Sequence, residues 1–204
     1  MFIPTHPFHS MRTLLMSGLV AGALLLAGCD SAGDDTAATV TAKRVTELPA
    51  DPNTGIGASG RPTGSTGRFT LYNLRDGAVV ANTDSASTKW DVGFRSSTII
   101  ANRTAGSQGG LLVRVGAFAD LAEAPDTTYG AQATLSQWAD YNSATASVTP
   151  KAGRVLAVRT ADGKFAKLSI VSYYKGQTPS TDPTASRYYT FDYALQSNGT
   201  RRFE

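Results

Sequence analysis

Residues 154–174 read RVLAVRTADGKFAKLSIVSYY. Two apolar runs flank Asp162-Gly163, a dipeptide that supplies the positive φ angles of a tight turn. In the second run, Leu168 and Ile170 alternate with polar residues and so fall on one face of an extended chain. The stretch therefore predicts a β-hairpin, and it favours β-strands in the chain around it.

Short apolar alternations separated by turn residues continue on both sides of this hairpin. They occur at FTLYNL (69–74, joined to AVVA by Asp76-Gly77), KWDVGF (89–94), STIIAN (97–102), LLVRVGAF (111–118) and RYYTFDYAL (187–195). In the last of these, the alternation predicts one shared face for Tyr189, Phe191, Tyr193 and Leu195. No segment shows a long helical period, and a short helix is predicted only at LSQW or FADLAE. The fold class is therefore all-β, a single antiparallel β-rich domain with short helical pieces at most.

The domain is expected to cover residues 41–204. Val45 lies in a short predicted strand, and Asn198-Gly199 is expected to turn the chain into its last residues, RRFE. The Gly/Pro-rich segment 49–67 between the first strand and FTLYNL predicts a loop or loosely docked chain.

The N-terminal segment 1–28 predicts a lipoprotein signal peptide. Arg12 precedes the apolar run TLLMSGLVAGALLLAG, which is short and rich in small residues, as in secretory signals. The run ends in Leu26-Ala27-Gly28-Cys29, which resembles a bacterial lipobox, so Cys29 is the expected lipidation site. A multiply acylated cysteine would anchor the chain stably to a membrane. The acidic segment 29–40 then predicts a flexible tether. It is similar to a surface-export signal, while an aspartate directly after Cys29 leaves inner-membrane retention open beside an outer-membrane or cell-surface location.

The overall charge argues against a nucleic-acid partner. Lys and Arg number 19 against 16 Asp and Glu, a formal net charge of +3, and no basic stripe is present.

Two short segments match part of the residue pattern of a ligand-binding motif, but neither meets the remaining requirements of that motif. Residues 55–60, GIGASG, fit a dinucleotide-binding fingerprint, but prolines on both sides exclude the required strand and helix. Residues 51–55 resemble the opening of a calcium loop, yet Ile56 and Pro62 occupy the positions that need Gly and Glu.

Both histidines and all three methionines lie before Cys29, which is the only cysteine. The mature chain therefore lacks His-dependent triads, thiol nucleophiles and the usual side chains for zinc or copper. No pair of carboxylates stands out for acid–base work, so the chain is expected not to be an enzyme.

The strand-rich part of the chain resembles a known family. The segments TKWDVGFRSSTIIAN, RTAGSQGG, WADYNS, TPKAGRVLAVRTADGKFAKLSIVSYY and YYTFDYALQSNG, within residues 41–203, are similar to the HmuY-like lipoproteins of Bacteroidetes and their relatives. The resemblance implies a β-rich, membrane-anchored protein that captures haem and passes it to a TonB-dependent outer-membrane receptor.

The resemblance also implies where axial haem ligands would lie. One histidine or methionine of the family falls between the Gly-rich loop and the following Trp, an interval that ends here in Tyr129 to Trp138. The other falls at Ser143 to Ala146, with Ala146 where many relatives carry histidine. Neither place holds His or Met in this chain.

The remaining candidates for a haem or ligand pocket are Tyr129, Trp138, Tyr141, Lys151 and Arg154. Tyr129 and Tyr141 are the candidate iron ligands, because tyrosinate can hold haem iron, or else they are ordinary residues at the edge of the core. Lys151 and Arg154 are expected to meet haem propionates. Trp138 either stacks on a flat ligand or packs in the core. Two functions stay open: binding of haem or a related tetrapyrrole for uptake, and binding of a glycan, peptide or receptor partner on the same scaffold.

Overall fold

The structure is a computed structural model that describes residues 40–203. The predicted signal peptide, the lipidation site Cys29 and the predicted tether up to residue 39 lie outside the described residues. No helix in the described range is both long enough and apolar enough to cross a membrane.

The described chain consists mainly of short antiparallel strands. In chain order these are β1 (Lys43–Pro49), β2 (Gly55–Ile56), β3 (Pro62–Thr63), β4 (Thr70–Asn73), β5 (Ala78–Val80), β6 (Val92–Arg95), β7 (Thr98–Ala101), β8 (Gly110–Val115), β9 (Gln132–Ala133), β10 (Ala139–Asn142), β11 (Ser147–Pro150), β12 (Arg154–Arg159), β13 (Phe165–Tyr174) and β14 (Ser186–Gln196). One α-helical turn, α1 (Leu135–Trp138), and two 3₁₀ turns (Asn82–Asp84 and Lys175–Gln177) interrupt them. The all-β prediction is confirmed.

The strands form two five-stranded sheets and two separate hairpins. The first sheet has the order β1-β14-β13-β12-β8, and the second has the order β5-β4-β6-β7-β9. The pairs β2-β3 and β10-β11 stand as two-stranded hairpins, and every pairing is antiparallel.

The hairpin predicted at residues 154–174 is confirmed as β12 and β13. Leu156 pairs with Leu168 across the two strands, and both side chains are fully buried. The turn closes through a hydrogen bond from the Thr160 amide to the Lys164 carbonyl at 2.8 Å. Gly163 has a φ of 84°, the left-handed conformation that the Asp-Gly pair predicts. The hairpin at 69–81 is likewise confirmed as β4 and β5.

Aromatic side chains fill the space between the two sheets. Phe94 on β6 stacks on Phe191 of β14 with ring centroids 5.2 Å apart. Tyr72 on β4 meets the same Phe191 edge-on at 5.7 Å. Tyr189, Phe191 and Tyr193 are buried on one face of β14, as the alternation predicts, and Leu195 is partly buried against the same core. The two sheets therefore pack through an aromatic layer that carries much of the apolar burial.

Asp91 is buried beside this layer and connects the sheets. One of its oxygens accepts a hydrogen bond from the Leu74 amide at 2.8 Å, and the other accepts one from the Ala161 amide at 2.9 Å. Leu74 follows β4 in the second sheet, and Ala161 lies in the β12–β13 turn of the first. A buried carboxylate with two backbone donors thus fixes the distance between two turns far apart in sequence.

The short helix predicted at LSQW or FADLAE is confirmed at LSQW, which is α1. FADLAE (118–123) is a turn followed by extended chain, in which Glu123 forms a bridge with Arg202. One local prediction needs correction. The segment 49–67 contains the hairpin β2-β3 instead of being only a loop. It is held by the Asp51 carboxylate, which accepts hydrogen bonds from the amides of Thr66 and Gly67.

Candidate functional site

Trp138 belongs to the core. It is the last residue of α1, only 1% of its surface is exposed, and its indole nitrogen donates to the Ser97 carbonyl at 3.1 Å. Its ring packs against Tyr173 and Tyr189, with centroids 5.9 and 5.5 Å away. Of the two interpretations of Trp138, the structure supports the packing one.

The hairpin formed by β10 and β11 presents Tyr141 at the surface. Tyr141 pairs with Val148 across the hairpin, and its side chain is 56% exposed. Its hydroxyl has no hydrogen-bond partner among residues 40–203. The hairpin is attached to the first sheet because the Val148 amide donates to the Tyr174 hydroxyl at 2.7 Å. Tyr141 is therefore an exposed phenol on a firmly anchored hairpin.

Two cavities adjoin Tyr141, and both are lined by Leu135 and Tyr141; we call them together the Tyr141 cleft. The first has a volume of about 340 Å³ and is further lined by Thr134, Ser136, Ala139, Asp140 and Lys151. The second has a volume of about 360 Å³ and its further lining includes Asn53, Ser96, Ala146, Val148, Tyr173, Tyr174, Ser180, Asp182 and Arg187. Each volume lies within the range of small-molecule sites, about 300–1,000 Å³.

Ala146 opens into the second cavity from the turn between β10 and β11. It has a φ of 52°, a conformation that few residues other than glycine adopt. The family resemblance assigns an axial histidine to this position in many relatives. The structure places that position on the same cavity wall as Tyr141.

One cationic side chain lies in each cavity of the Tyr141 cleft. The Lys151 ammonium donates to the Ser136 carbonyl at 2.7 Å and lies 3.4 Å from the exposed carboxylate of Asp140. Arg187 donates to the Asp51 carbonyl at 3.0 Å and forms no salt bridge with a carboxylate of the described chain. Each cavity of the cleft is therefore lined by one cationic side chain and one carboxylate, Lys151 with Asp140 in the first and Arg187 with Asp182 in the second.

A second phenol of the cleft is unsuited to ionise. Burial raises the pKa of Tyr173 above its ordinary value, with the Ser96 contact and the Arg187 charge opposing the rise. A phenolate at Tyr173 is therefore disfavoured.

Tyr129 lies elsewhere, in a cavity of about 430 Å³ that we call the Tyr129 cavity. It is lined by Arg103, Ser107, Gln108, Gly109, Thr127, Thr128, Tyr129 and Arg159, none of which lines the Tyr141 cleft. The Tyr129 hydroxyl donates to the Pro125 carbonyl at 3.2 Å. Burial raises the pKa of Tyr129 to about 12, against the opposing charges of Arg201 and Arg159. The two candidate iron ligands thus do not share a pocket.

The structure brings Tyr141 and Lys151 together and leaves Arg154 apart from them. The Arg154 guanidinium donates to the neighbouring Gly153 carbonyl at 3.2 Å and lines neither the Tyr141 cleft nor the Tyr129 cavity. Sequence reasoning missed Arg187, which takes a place at the cleft similar to the one expected of Arg154. Arg187 has a φ of 69°, which breaks the strand alternation at the start of β14, so no periodic pattern could have placed it.

No group of three or more His, Cys, Asp or Glu side chains within residues 40–203 is placed to hold a metal ion.

Comparison with solved structures returns distant similarities. The chain is similar to an apo HmuY analog of Tannerella forsythia, at 14% identity and a TM-score of 0.45, over 77% of this chain and 95% of that one. It is also similar to a Bacteroides vulgatus protein described as HmuY-like and heme-binding, at 16% identity and a TM-score of 0.45, over 78% and 93% of the two chains. A Bacteroides fragilis protein described as a lipoprotein matches at 16% identity and a TM-score of 0.44, over 78% and 90%.

The first two of these structures are described as an HmuY analog and as HmuY-like, and HmuY-like lipoproteins are the family that the sequence resembles. No protein-family model and no curated protein matches the chain. What the chain binds has to be argued from its own side chains.

Proposed function

We propose that this chain is a lipid-anchored binding protein, not an enzyme, which holds haem or a related tetrapyrrole in the Tyr141 cleft as cargo. The observation that carries the proposal is Tyr141 itself. It is an exposed phenol without a hydrogen-bond partner in the described chain, and it lines both cavities of the cleft. Tyrosinate is an established protein ligand of haem iron.

The other residues of the Tyr141 cleft suit a flat ligand with carboxylate groups. Leu135, Ala146 and Val148 offer apolar surface for a macrocycle. Lys151 lines one cavity and Arg187 the other, and each suits a propionate through charge-assisted hydrogen bonds. The residues present therefore fit the ligand, with one oxygen donor in place of the two axial side chains that the family resemblance implies.

Tyr141 is the better iron ligand of the two tyrosines that the sequence singles out. Tyr129 donates its hydroxyl proton to a backbone carbonyl, and burial holds the pKa of this phenol at about 12. Coordination through Tyr129 would have to overcome both effects, whereas the Tyr141 hydroxyl is exposed and donates to no backbone carbonyl of the described chain.

Anchoring and delivery complete the proposal. Lipidation at Cys29 would hold the domain at a membrane, and the acidic residues behind Cys29 would serve as the tether. A haem-binding domain at the outer membrane or the cell surface would pass its cargo to a TonB-dependent receptor. Retention at the inner membrane would remove that partner, so fractionation of the native host's membranes tests this part separately.

The test is a titration of the purified chain with haemin, followed through the Soret band in the ferric and ferrous states. We expect a shifted band for the unmodified chain and at least about tenfold weaker binding for Tyr141→Phe, as for loss of a charge-assisted contact. Tyr129→Phe is the matched control, and it should bind haemin like the unmodified chain. Loss of binding in Tyr129→Phe but not in Tyr141→Phe would contradict the assignment of the site.

Ala146→His provides a gain-of-function arm. It places an imidazole on the same cavity wall as Tyr141 and should tighten haemin binding and change the Soret maximum. A chain that shows no spectral change with haemin, either unmodified or as Ala146→His, does not bind haem in this cleft.

A hydroxylated ligand such as a glycan is the second candidate. The cavity that contains Ala146 is also lined by Asn53, Ser180 and Asp182, whose polar groups suit sugar hydroxyls, and the exposed ring of Tyr141 suits a sugar face. Under this alternative, haemin gives no Soret shift, while Tyr141→Phe leaves glycan binding nearly intact and Tyr141→Ala abolishes it.

A further inference from the structure

The Tyr129 cavity is lined by two guanidinium groups that form no salt bridge within the described chain, and the carboxylate of the adjoining cavity, Asp126, is paired with Arg201 at 2.8 Å. Arg103 and Arg159 both line it, and neither forms a salt bridge with an Asp or Glu of residues 40–203. By contrast, the nearby Arg201 is paired with Glu123 at 2.9 Å and with Asp126 at 2.8 Å. No acidic residue is among those that line the Tyr129 cavity.

Arg159 is held in place with part of its hydrogen-bonding capacity unused. One terminal nitrogen donates to the Gln108 side-chain oxygen at 2.6 Å. Its Nε is buried and has no hydrogen-bond partner in the described chain. A second orphan of the same type occurs at Arg75, but that guanidinium is paired with Asp162 at 3.2 Å. Arg159 is therefore distinct, because both its charge and its Nε lack a partner.

The glycine-rich loop between β7 and β8 forms one wall of the cavity. Arg103 at the start of this loop donates to the Tyr129 carbonyl at 3.2 Å. A Cβ at Gly110 would overlap the Tyr129 Cβ, so the glycine permits the loop to lie directly on Tyr129. The Gln108 amide donates to the Ala161 carbonyl at 3.0 Å and fixes the loop to the β12–β13 turn. The cavity is thus a shaped feature of the fold.

Two threonines supply further donors. Thr127 and Thr128 also line the cavity, and their hydroxyls make no hydrogen bond to residues 40–203. Hydroxyls and guanidinium groups together are the donors that bind carboxylate and phosphate oxygens in proteins.

We propose that the Tyr129 cavity is a second binding site, independent of the Tyr141 cleft, which takes a small molecule bearing two or more oxyanion groups. Arg159 and Arg103 both meet these groups, Arg159 through the terminal nitrogens of its guanidinium. The cavity volume of about 430 Å³ leaves room for an organic body as well as the charged groups. The shared chemistry is the oxyanion, and its source is either a polycarboxylate or a phosphate.

The experiment titrates the purified full chain by calorimetry at constant ionic strength with citrate and, separately, with inorganic pyrophosphate. We expect saturable binding of at least one probe, weakening as salt rises. Arg159→Gln and Arg103→Gln should each weaken it at least about tenfold, because each leaves an oxyanion without its cation. Arg61→Gln is the charge-matched control, since Arg61 is exposed and lines no cavity described above, and it should change affinity less than about twofold.

Each outcome decides the proposal. Binding of citrate alone identifies a carboxylate site, and binding of pyrophosphate alone identifies a phosphate site. Saturable binding that is equal in Arg159→Gln, Arg103→Gln and Arg61→Gln would overturn the site, as would no heat from either probe at millimolar concentration. Should Arg159→Gln fail to fold, Arg103→Gln decides alone, because its side chain is exposed. Haemin binding to Tyr141→Phe tests the other cleft, so the two proposals can fail separately.

Discussion

The buried carboxylate of Asp91 offers the sharpest test of how the two sheets are held together. Its side chain is fully buried, and its two oxygens accept hydrogen bonds from the amides of Leu74 and Ala161. Asp91→Asn keeps the size of the side chain and one oxygen acceptor. The second position then carries an NH₂ group, which faces an amide donor.

The expected loss follows from that unpaired amide. A buried donor left without an acceptor costs about 1–3 kcal/mol. The amide side chain of Asp91→Asn is neutral and costs less to bury than the carboxylate, which offsets part of that loss. We expect Asp91→Asn to lower the free energy of unfolding by about 1–3 kcal/mol at neutral pH. For a domain of this size each kcal/mol corresponds to about 2–4 °C in Tm.

The pH dependence gives the prediction a second readout. Burial raises the pKa of Asp91 above its ordinary value of 3.8, although the amides of Ala161 and Leu74 act in the opposite direction. A group with a raised folded-state pKa adds stability that is fully present below its unfolded pKa and is lost as the pH rises through its folded pKa. Asp91→Asn lacks this contribution. The difference in unfolding free energy between the two proteins should therefore be larger below pH 3.8 than at neutral pH.

The assay is equilibrium unfolding in urea, followed by tryptophan fluorescence at several pH values. Asp76→Asn is the matched control, because Asp76 is exposed in the β4–β5 turn and its carboxylate makes no hydrogen bond within the described chain. Equal stability of Asp91→Asn and the unmodified chain at neutral pH would refute the role of Asp91 as the tie between the two turns. A difference that grows with rising pH would refute the sign of the linkage.

Three further substitutions test other parts of the structure. Tyr174→Phe removes the acceptor of the Val148 amide, so amide exchange at Val148 should accelerate by at least about tenfold; an unchanged rate would show that the hairpin is anchored otherwise. Gly110→Ala places a methyl group against Tyr129 and should lower the free energy of unfolding by about 1–3 kcal/mol. Gly106→Ala should lower it by less, because Gly106 has a φ of 81° but open space around it. The reverse order would contradict the packing of Gly110 against Tyr129. Asp51→Asn keeps one oxygen acceptor, so at least one of the Thr66 and Gly67 amides should lose protection from exchange. In the unmodified chain, desolvation is outweighed by the hydrogen bonds from these residues, which lower the pKa of Asp51. Protection of both amides should therefore persist above pH 3.8 and fall as the pH drops through that lowered pKa, and protection that rises with acid would contradict it.

The sequence alone was sufficient for the main strands, because period-2 alternation and Asp-Gly turns are local signals. Residues 154–174 and 69–81 fold as predicted for this reason. The two-sheet arrangement was not predicted, since it depends on contacts such as Phe94 with Phe191 that join residues far apart in the chain. FADLAE has helix-forming residues, yet its segment pairs with the C-terminal residues, through the Phe203 amide and the Ala122 carbonyl at 2.8 Å, and tertiary contact overrides the local preference.

The candidate site was predictable only in part. Tyr141 and Lys151 lie three and thirteen residues beyond α1, within one hairpin and the residue that follows it, so local spacing could bring them together. Tyr129 precedes the same helix in sequence, but β9 and α1 lie between it and the hairpin, and it lines a different cavity. Residue type could not separate the two tyrosines, because what distinguishes them is burial and the partner of each hydroxyl.

The turn between β10 and β11 is held in place by contacts that do not depend on the side chain of Ala146. The Val148 amide, two residues from Ala146, is held by the Tyr174 hydroxyl, and Asn142 accepts a hydrogen bond from the Ala144 amide at 3.0 Å. The turn therefore keeps its place without help from a metal. Histidine is among the residues that tolerate a positive φ comparatively well, so the φ of 52° at Ala146 does not bar Ala146→His from folding. If Ala146→His gains haemin affinity while Tyr141→Phe loses it, the Tyr141 cleft is a haem site. If neither substitution changes haemin binding, the geometry of the cleft serves another ligand, and the polar wall around Asn53 and Asp182 becomes the place to look for it.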